Sequence, residues 1–247
     1  MAHLGPIRIQ KGFESLAEAL AEQILTGKIK QGDLLPNERE LGEVSGLSRG
    51  SVREALRVLE AQGLVSTKLG RNGGRVASPA ADETFRRSIG FFIRGQRIRL
   101  EAVFETRLAI EPSSARFAAL HRTQADLGEI DRCHKRLQLA SATGDIAAYV
   151  RANLDWHLQV VRASQNELLI AFMSAVSQSV FVATDLDGFN SIEVRNAVIR
   201  AHGRVIDAIE ARDGDAAARR MGRHVAAYIS DVQQTQAKFH GHRPKEQ

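Results

Sequence analysis

The sequence is short of the features that would set it apart from ordinary globular proteins. It has a single cysteine, Cys133, so no intrachain disulfide framework can form, and a reducing cytoplasm is the compartment that fits. Its apolar runs are short and broken by charge, which excludes a segment able to span a bilayer. Met1 to Gln10 lacks the basic start and long apolar core of a secretory signal. No internal repeat is evident, and between Ala80 and His240 the one proline is Pro112. What remains is balanced. Hydrophobic residues make up 43% and charged residues 26% of 247 residues, enough for two domains with cores of their own.

Charge is present in modest excess, +5 overall, and its placement says more than its size. Between Ser45 and Pro79 stand Arg49, Arg53, Arg57, Lys68, Arg71 and Arg75, against only Glu54 and Glu60. Most of the positive excess therefore sits in one short stretch. A local basic patch is the footprint of a phosphate-backbone binder.

Periodicity divides the chain. Leu16, Ala19, Leu20, Ile24 and Leu25 predict a helix over about 15–25, stopped by Gly27. Asn37-Glu38-Arg39-Glu40 reads as a capping box opening a short helix that Gly46 closes. Ser48 caps the next helix, whose apolar face is Val52, Leu56 and Leu59, ending near Gly63. There the period changes to that of two short strands, 64–68 and 74–77, joined by a turn-rich Leu69-Gly70-Arg71-Asn72-Gly73. Three helices followed by a hairpin are the order of a winged helix-turn-helix. After a linker at 79–84, only helical stretches follow, at about 83–94, 98–120, 123–142, 145–164, 166–184, 190–212 and 214–236. The expected class is mainly α: a winged helix-turn-helix over 1–78, an all-helical bundle over 85–236, and a disordered tail over 237–247.

The segment GDLLPNERELGEVSGLSRGSVREALRVLEAQGLVSTKLGRNGGRV resembles the DNA-binding domain of GntR-type regulators, in one register over about residues 10–78. Many fixed positions at fixed spacings make this more specific than a short motif. The physical reading agrees. A recognition helix enters the major groove by its first turn, and Arg49 and Arg53 lie one turn apart on that face. Arginine suits guanine or phosphate. Ser48, Gly50 and Ser51 are small and permit close approach, with helix-start N–H groups available to a phosphate. Arg39, at the start of the preceding helix, is placed for backbone phosphate, and Gly70 with Arg71 for the groove edge at the wing tip. The resemblance implies DNA contacts at Arg39, Arg49, Arg53 and the wing glycine. The plainer alternative is that these arginines solvate a helix face or pair with Glu54 and Glu60.

The remainder resembles the helical ligand-binding domain of the FadR branch, the FCD type. The likeness rests on Glu105-Thr106-Arg107 with Glu111, Asn153-x-x-Trp156-His157, Asn166, His202 and His224. Asn153 and His157 share a helix face at i and i+4. His202 has Val198, Ile199, Val205 and Ile206 around it, and His224 has Met221 and Tyr228. The three histidines thus point inward from different helices, as a transition-metal site in a bundle requires. The expected cofactor is a divalent ion of the Zn, Ni or Mn type held by Asn153, His157, His202 and His224. A departure stands at Asn153, where the family often has Asp. The amide offers an oxygen without charge, and Asp155 lies on the wrong side of the helix to replace it. For any single one of these histidines, a satisfied core position is the plainer alternative.

Arg107 falls on an apolar face with Val103, Phe104 and Ile110, and a buried arginine needs a partner. Two readings stand open: an ion pair with Glu111, or a clamp for an effector carboxylate. Arg195, two turns before His202, is a weaker effector contact of the same kind. The sequence-level expectation is a ligand-responsive DNA-binding repressor of a catabolic operon, released by a small organic acid such as a sugar acid or hydroxy acid. The resemblance adds a homodimer on a palindromic operator, with no membrane partner and no catalytic residue. The rival is a metal-dependent enzyme carrying an accessory DNA-binding domain, against which stands the lack of a clear general base.

Overall fold

The computed structural model describes residues 11–70, 73–78, 82–183 and 191–240. The chain divides into two compact units, Met1–Phe85 and Arg86–Gln247.

The first unit holds α1 (Gly12–Leu25), α2 (Glu38–Ser45), α3 (Arg49–Ala61), β1 (Val65–Lys68) and β2 (Gly74–Ala77). Its boundaries follow local chemistry. The Asn37 side chain accepts from the N–H groups of Arg39 and Glu40, each at 3.0 Å, while Glu40 takes the Asn37 N–H at 2.9 Å, so the capping box is complete. Gly46 ends α2 in the left-handed region at φ 69°, which glycine adopts without penalty. β1 and β2 pair antiparallel in the register Val65 with Ala77 to Lys68 with Gly74, and Leu34 adds a single bridge to Val76. Leu20, Leu41, Val52, Leu56, Leu59 and Val65 form the core between the helices and this hairpin.

The second unit is helical: α4 (Asp82–Gly95), α5 (Leu100–His121), α6 (Gln124–Thr143), α7 (Ile146–Arg162), α8 (Glu167–Ala183), α9 (Ile192–Glu210) and α10 (Gly214–His240). α5 packs along α10 and α6 along α7, with α9 against α10 and α6. Trp156, Ile130, Val160, Val205, Ile209 and Met221 are buried together at the centre. α5 stays helical through Pro112. The ends of α5 and α9 cap one another. Arg122 donates to the Glu210 carbonyl at 2.8 Å and Arg212 to the Leu120 carbonyl at 3.0 Å, satisfying carbonyls that each helix leaves free.

Two boundaries differ from expectation. Of the expected linker, residues 79–81 lie outside the described residues, while α4 already begins at Asp82. α10 runs past 236 to His240, because no glycine or proline interrupts the sequence from Arg223 to His240. The last residues of the expected tail, 241–247, are outside the described residues.

Candidate functional site

Chemistry-bearing side chains gather in two places, one in each unit. In the first, the opening turn of α3 is open to solvent. Ser48 Oγ accepts from the Ser51 N–H at 3.2 Å and meets Ser51 Oγ at 3.0 Å, which fixes the helix start. Gly50 has only Ser48 Oγ within 4 Å of where a Cβ would stand, at 3.8 Å. Nothing inside the protein crowds a larger side chain there. Arg49 is exposed and has no side-chain partner among the described residues. Arg53 donates through Nε to Glu38 on α2 at 2.7 Å, and Arg39 lies 3.7 Å from Glu43. Pairing with Glu54 and Glu60 occurs, but through Arg57 and Arg75 rather than Arg49 or Arg53. Exposed pairs of this kind contribute about 0–1 kcal/mol, so a phosphate can displace them. At the wing tip, Gly70 has φ 121°, and a Cβ on Gly73 would stand 2.3 Å from the Lys68 carbonyl. The hairpin turn therefore requires its glycines. Arg71 lies outside the described residues.

The second gathering is buried. His157 on α7, His202 on α9 and His224 on α10 have ligand atoms within 4.8 Å of one another. His202 Nε2 and His224 Nε2 are 3.0 Å apart, and His224 Nε2 and His157 Nε2 3.2 Å. Around one ion with bonds of about 2.0–2.1 Å, neighbouring nitrogens stand about 3.0–3.4 Å apart, so the spacing suits a shared cation. Asn153 Oδ1, one turn before His157, is buried without a hydrogen-bond partner. An orphaned carbonyl oxygen one helical turn before His157 is of the chemistry the expected donor set asks for. Asp155 faces away and pairs with Arg136 at 3.5 Å.

Behind the histidines stands Glu111 of α5, fully buried. Its carboxylate accepts from His157 Nδ1 and from Arg107 Nε. The Nδ1–H to Glu111 bond directs the His157 Nε2 lone pair toward the other two rings, the carboxylate–histidine arrangement that orients metal ligands. Burial alone would raise the Glu111 carboxyl, but the Arg107 charge and His157 outweigh it and hold it at about 2. Burial also pushes the imidazoles down: His157 below its ordinary value, His202 well below, and His224 to about 3, with the neighbouring histidines adding to the shift in the last two. All three are neutral at pH 7 and keep the lone pairs a cation needs.

Arg107 is 3% exposed. Its ion pair with Glu111 is present, and its guanidinium carbon lies 5.6 Å from the Tyr228 ring centroid. Nη1 and Nη2 have no hydrogen-bond partner among the described residues. The two sequence readings of Arg107 are thus compatible, one nitrogen serving Glu111 and two remaining. Arg195 is turned elsewhere: Nε donates to Ser141 Oγ at 3.3 Å near the end of α6, joining α9 to α6.

Residues 13–74 match the bacterial regulatory proteins of the gntR family, and residues 102–227 match the FCD domain. The Glc operon transcriptional activator of Escherichia coli strain K12 is 30% identical over 234 residues, covering 92% of this chain and 91% of that protein. The chain belongs to the GntR family. The HTH-type transcriptional repressor NanR of Citrobacter rodentium is 32% identical over 227 residues, 89% of this chain and 85% of that one. Among solved structures, Streptococcus agalactiae GntR superposes with a TM-score of 0.66 over 87% of this chain and 98% of its own, at 23% identity, a likeness of fold. This GntR-family chain is accordingly a transcription regulator with a DNA-binding helix-turn-helix and an FCD domain of the kind that takes a small effector; the relatives are named as regulators, not enzymes. Among its described residues no helix is long and apolar enough to cross a membrane.

Sequence reasoning missed two residues at the buried site. Glu111 was paired with Arg107, but its second bond, to His157, joins positions 46 residues apart. His134 of α6 was not singled out, although Ile130 and Leu137 place it on the inward face of α6. Its ring centroid is 6.2 Å from that of His202.

Proposed function

We propose that the chain is a metal-containing, acid-responsive repressor. Two copies read a palindromic operator through Arg39, Ser48, Arg49, Gly50, Ser51, Arg53 and the wing at Gly70 and Arg71. Asn153, His157, His202 and His224 hold a divalent ion of the Zn, Ni or Mn type. A small organic acid, a sugar acid or hydroxy acid, binds there with Arg107 and releases the repressor from the operator of a catabolic operon. The observation that carries this reading is the convergence of three buried, neutral imidazoles with Glu111 fixing the tautomer of one. Such an ion offers its open positions to a ligand carboxylate, and Arg107 supplies donors to the same group. Arg195 is assigned to the α6–α9 joint rather than to the effector, because its guanidinium is engaged by Ser141. The enzyme alternative has no support: the carboxylate that touches the histidines is already committed to His157 and Arg107, leaving it poorly placed as a base.

The test is binding of the protein to DNA from its own upstream region across a salt series, with and without hydroxy acids. A sequence-selective complex that loosens on adding acid supports the reading; equal affinity for unrelated DNA would sink it. Arg49, free and at the helix start, is expected to be worth about 1–3 kcal/mol in Arg49→Ala, with relaxed preference at one base position in each half-site. A uniform loss across sequences would instead make it a phosphate contact.

Asn153→Asp adds charge at the ligand position. Metal affinity is expected to rise about tenfold, since ligand charge tunes cation affinity. Isothermal titration of chelator-treated protein checks this, and unchanged affinity would remove residue 153 from the donor set.

A further inference from the structure

His157 and His202 are held by different means. His157 gives its Nδ1–H to Glu111, the kind of bond that orients an imidazole for a cation. His202 Nδ1 is buried and has no hydrogen-bond partner among the described residues. A neighbouring ring sets its plane instead. Trp156 of α7 stacks on His202 of α9, with centroids 3.5 Å apart and planes 8° from parallel. His157 and His224 meet the same imidazole at 90° and 88°, and His134 is tilted by 49° at 6.2 Å. Among the described residues, the indole is therefore the ring that lies flat on His202.

Trp156 is itself fixed. It is fully buried and packs with Ile130, Val160, Val205, Ile209 and Met221 at the centre of the bundle, where dense packing holds a side chain in place. It stands nearly perpendicular to His157, at 5.0 Å and 84°, and to His224, at 6.4 Å and 87°, so one side chain borders all three imidazoles. Its Nε1–H has no acceptor among the described residues, which costs stability and which a phenyl or aliphatic side chain would avoid. What the indole offers beyond those side chains is its broad electron-rich face, the strongest of the aromatic faces toward positive charge.

We propose that Trp156 is a positioning residue for the metal: its face holds the His202 ring with Nε2 turned toward the other two imidazoles and stabilises the positive charge a bound cation draws onto that ring. The stack opposes rotation of His202 out of the plane in which its Nε2 stands 3.0 Å from His224 Nε2. A cation on Nε2 withdraws electron density from the imidazole, whose charge then lies against the negative face of the indole. Trp156 thus does for His202 through its face what Glu111 does for His157 through a hydrogen bond. Trp156 and His157 are about 100° apart around α7, so one turn of α7 supplies a ligand and the support for a ligand of α9. The proposal rests on the metal reading above.

The test is calorimetric titration of the chelator-treated full chain with Zn²⁺, in wild type, Trp156→Phe and Trp156→Leu, each at a temperature where it is folded. Trp156→Leu is expected to bind about tenfold more weakly, and Trp156→Phe, which keeps a smaller face, to retain most of the affinity. Trp156 is the chain's one tryptophan, so wild-type emission reads the same contact: it is expected to change with Zn²⁺ and to saturate at the calorimetric stoichiometry. That readout decides the matter if Trp156→Leu fails to fold. Equal affinity in the three proteins, or an equal loss in both variants, makes Trp156 core filling and overturns the proposal, as does emission indifferent to Zn²⁺ that calorimetry shows to be bound. Wild type that takes up no Zn²⁺, Ni²⁺ or Mn²⁺ removes the metal reading, and this one falls with it. Uptake by wild type therefore tells the two failures apart.

Discussion

Glu111→Ala is expected to lower the stability of the helical unit by about 3–5 kcal/mol, the cost of stranding one member of a buried ion pair. Glu111 is 0% exposed and Arg107 3%, so no solvent replaces the lost carboxylate. His157 loses its acceptor at the same time. At about 2–4 °C for each kcal/mol in a domain of this size, the melting temperature is expected to fall by roughly 6–20 °C. Calorimetry checks it. A loss under about 1 kcal/mol would mean that the Arg107–Glu111–His157 chain does not hold α5 to α7. Glu111→Gln separates the two roles. It keeps an acceptor for His157 but removes the charge facing Arg107, so it is expected to destabilise strongly while keeping most of the metal affinity, which Glu111→Ala is expected to lower about 10–100-fold.

The second large effect is metal linkage. An ion that binds only the folded chain stabilises it by about 2.7 kcal/mol at one hundred times its dissociation constant, or roughly 5–11 °C on the same scale. Protein loaded with Zn²⁺, Ni²⁺ or Mn²⁺ is therefore expected to melt higher than chelator-treated protein by that amount. In His157→Ala the increment is expected to vanish. Equal melting with and without each ion would return the three histidines to the core and leave Arg107 as the centre of the effector site.

Local features were legible in the sequence because their partners are near in it. The Asn37–Glu40 box and the Ser48 cap span three residues each, and Gly46 and Gly144 end α2 and α6 in the left-handed conformation. The inward direction of His157, His202 and His224 was legible too, since apolar neighbours at three and four residues reveal which face a helix buries. Partner choice across the bundle was not. Arg195 and Ser141 meet over 54 residues, and Arg53 finds Glu38 over 15, where Glu54 stands adjacent in sequence but on another side of the helix. The outer ring of the site, Glu111 and His134, belongs to helices other than those bearing the nearest histidine. Only packing brings them together.

The most direct measurement is anisotropy of labelled DNA from the chain's own upstream region, at fixed salt, titrated with a hydroxy acid before and after chelation. The expected result is a complex that weakens on acid addition in metal-loaded wild type, with the response lost after chelation and in His157→Ala. DNA affinity indifferent to every acid tested, or a response that survives chelation unchanged, would contradict a metal-centred effector site.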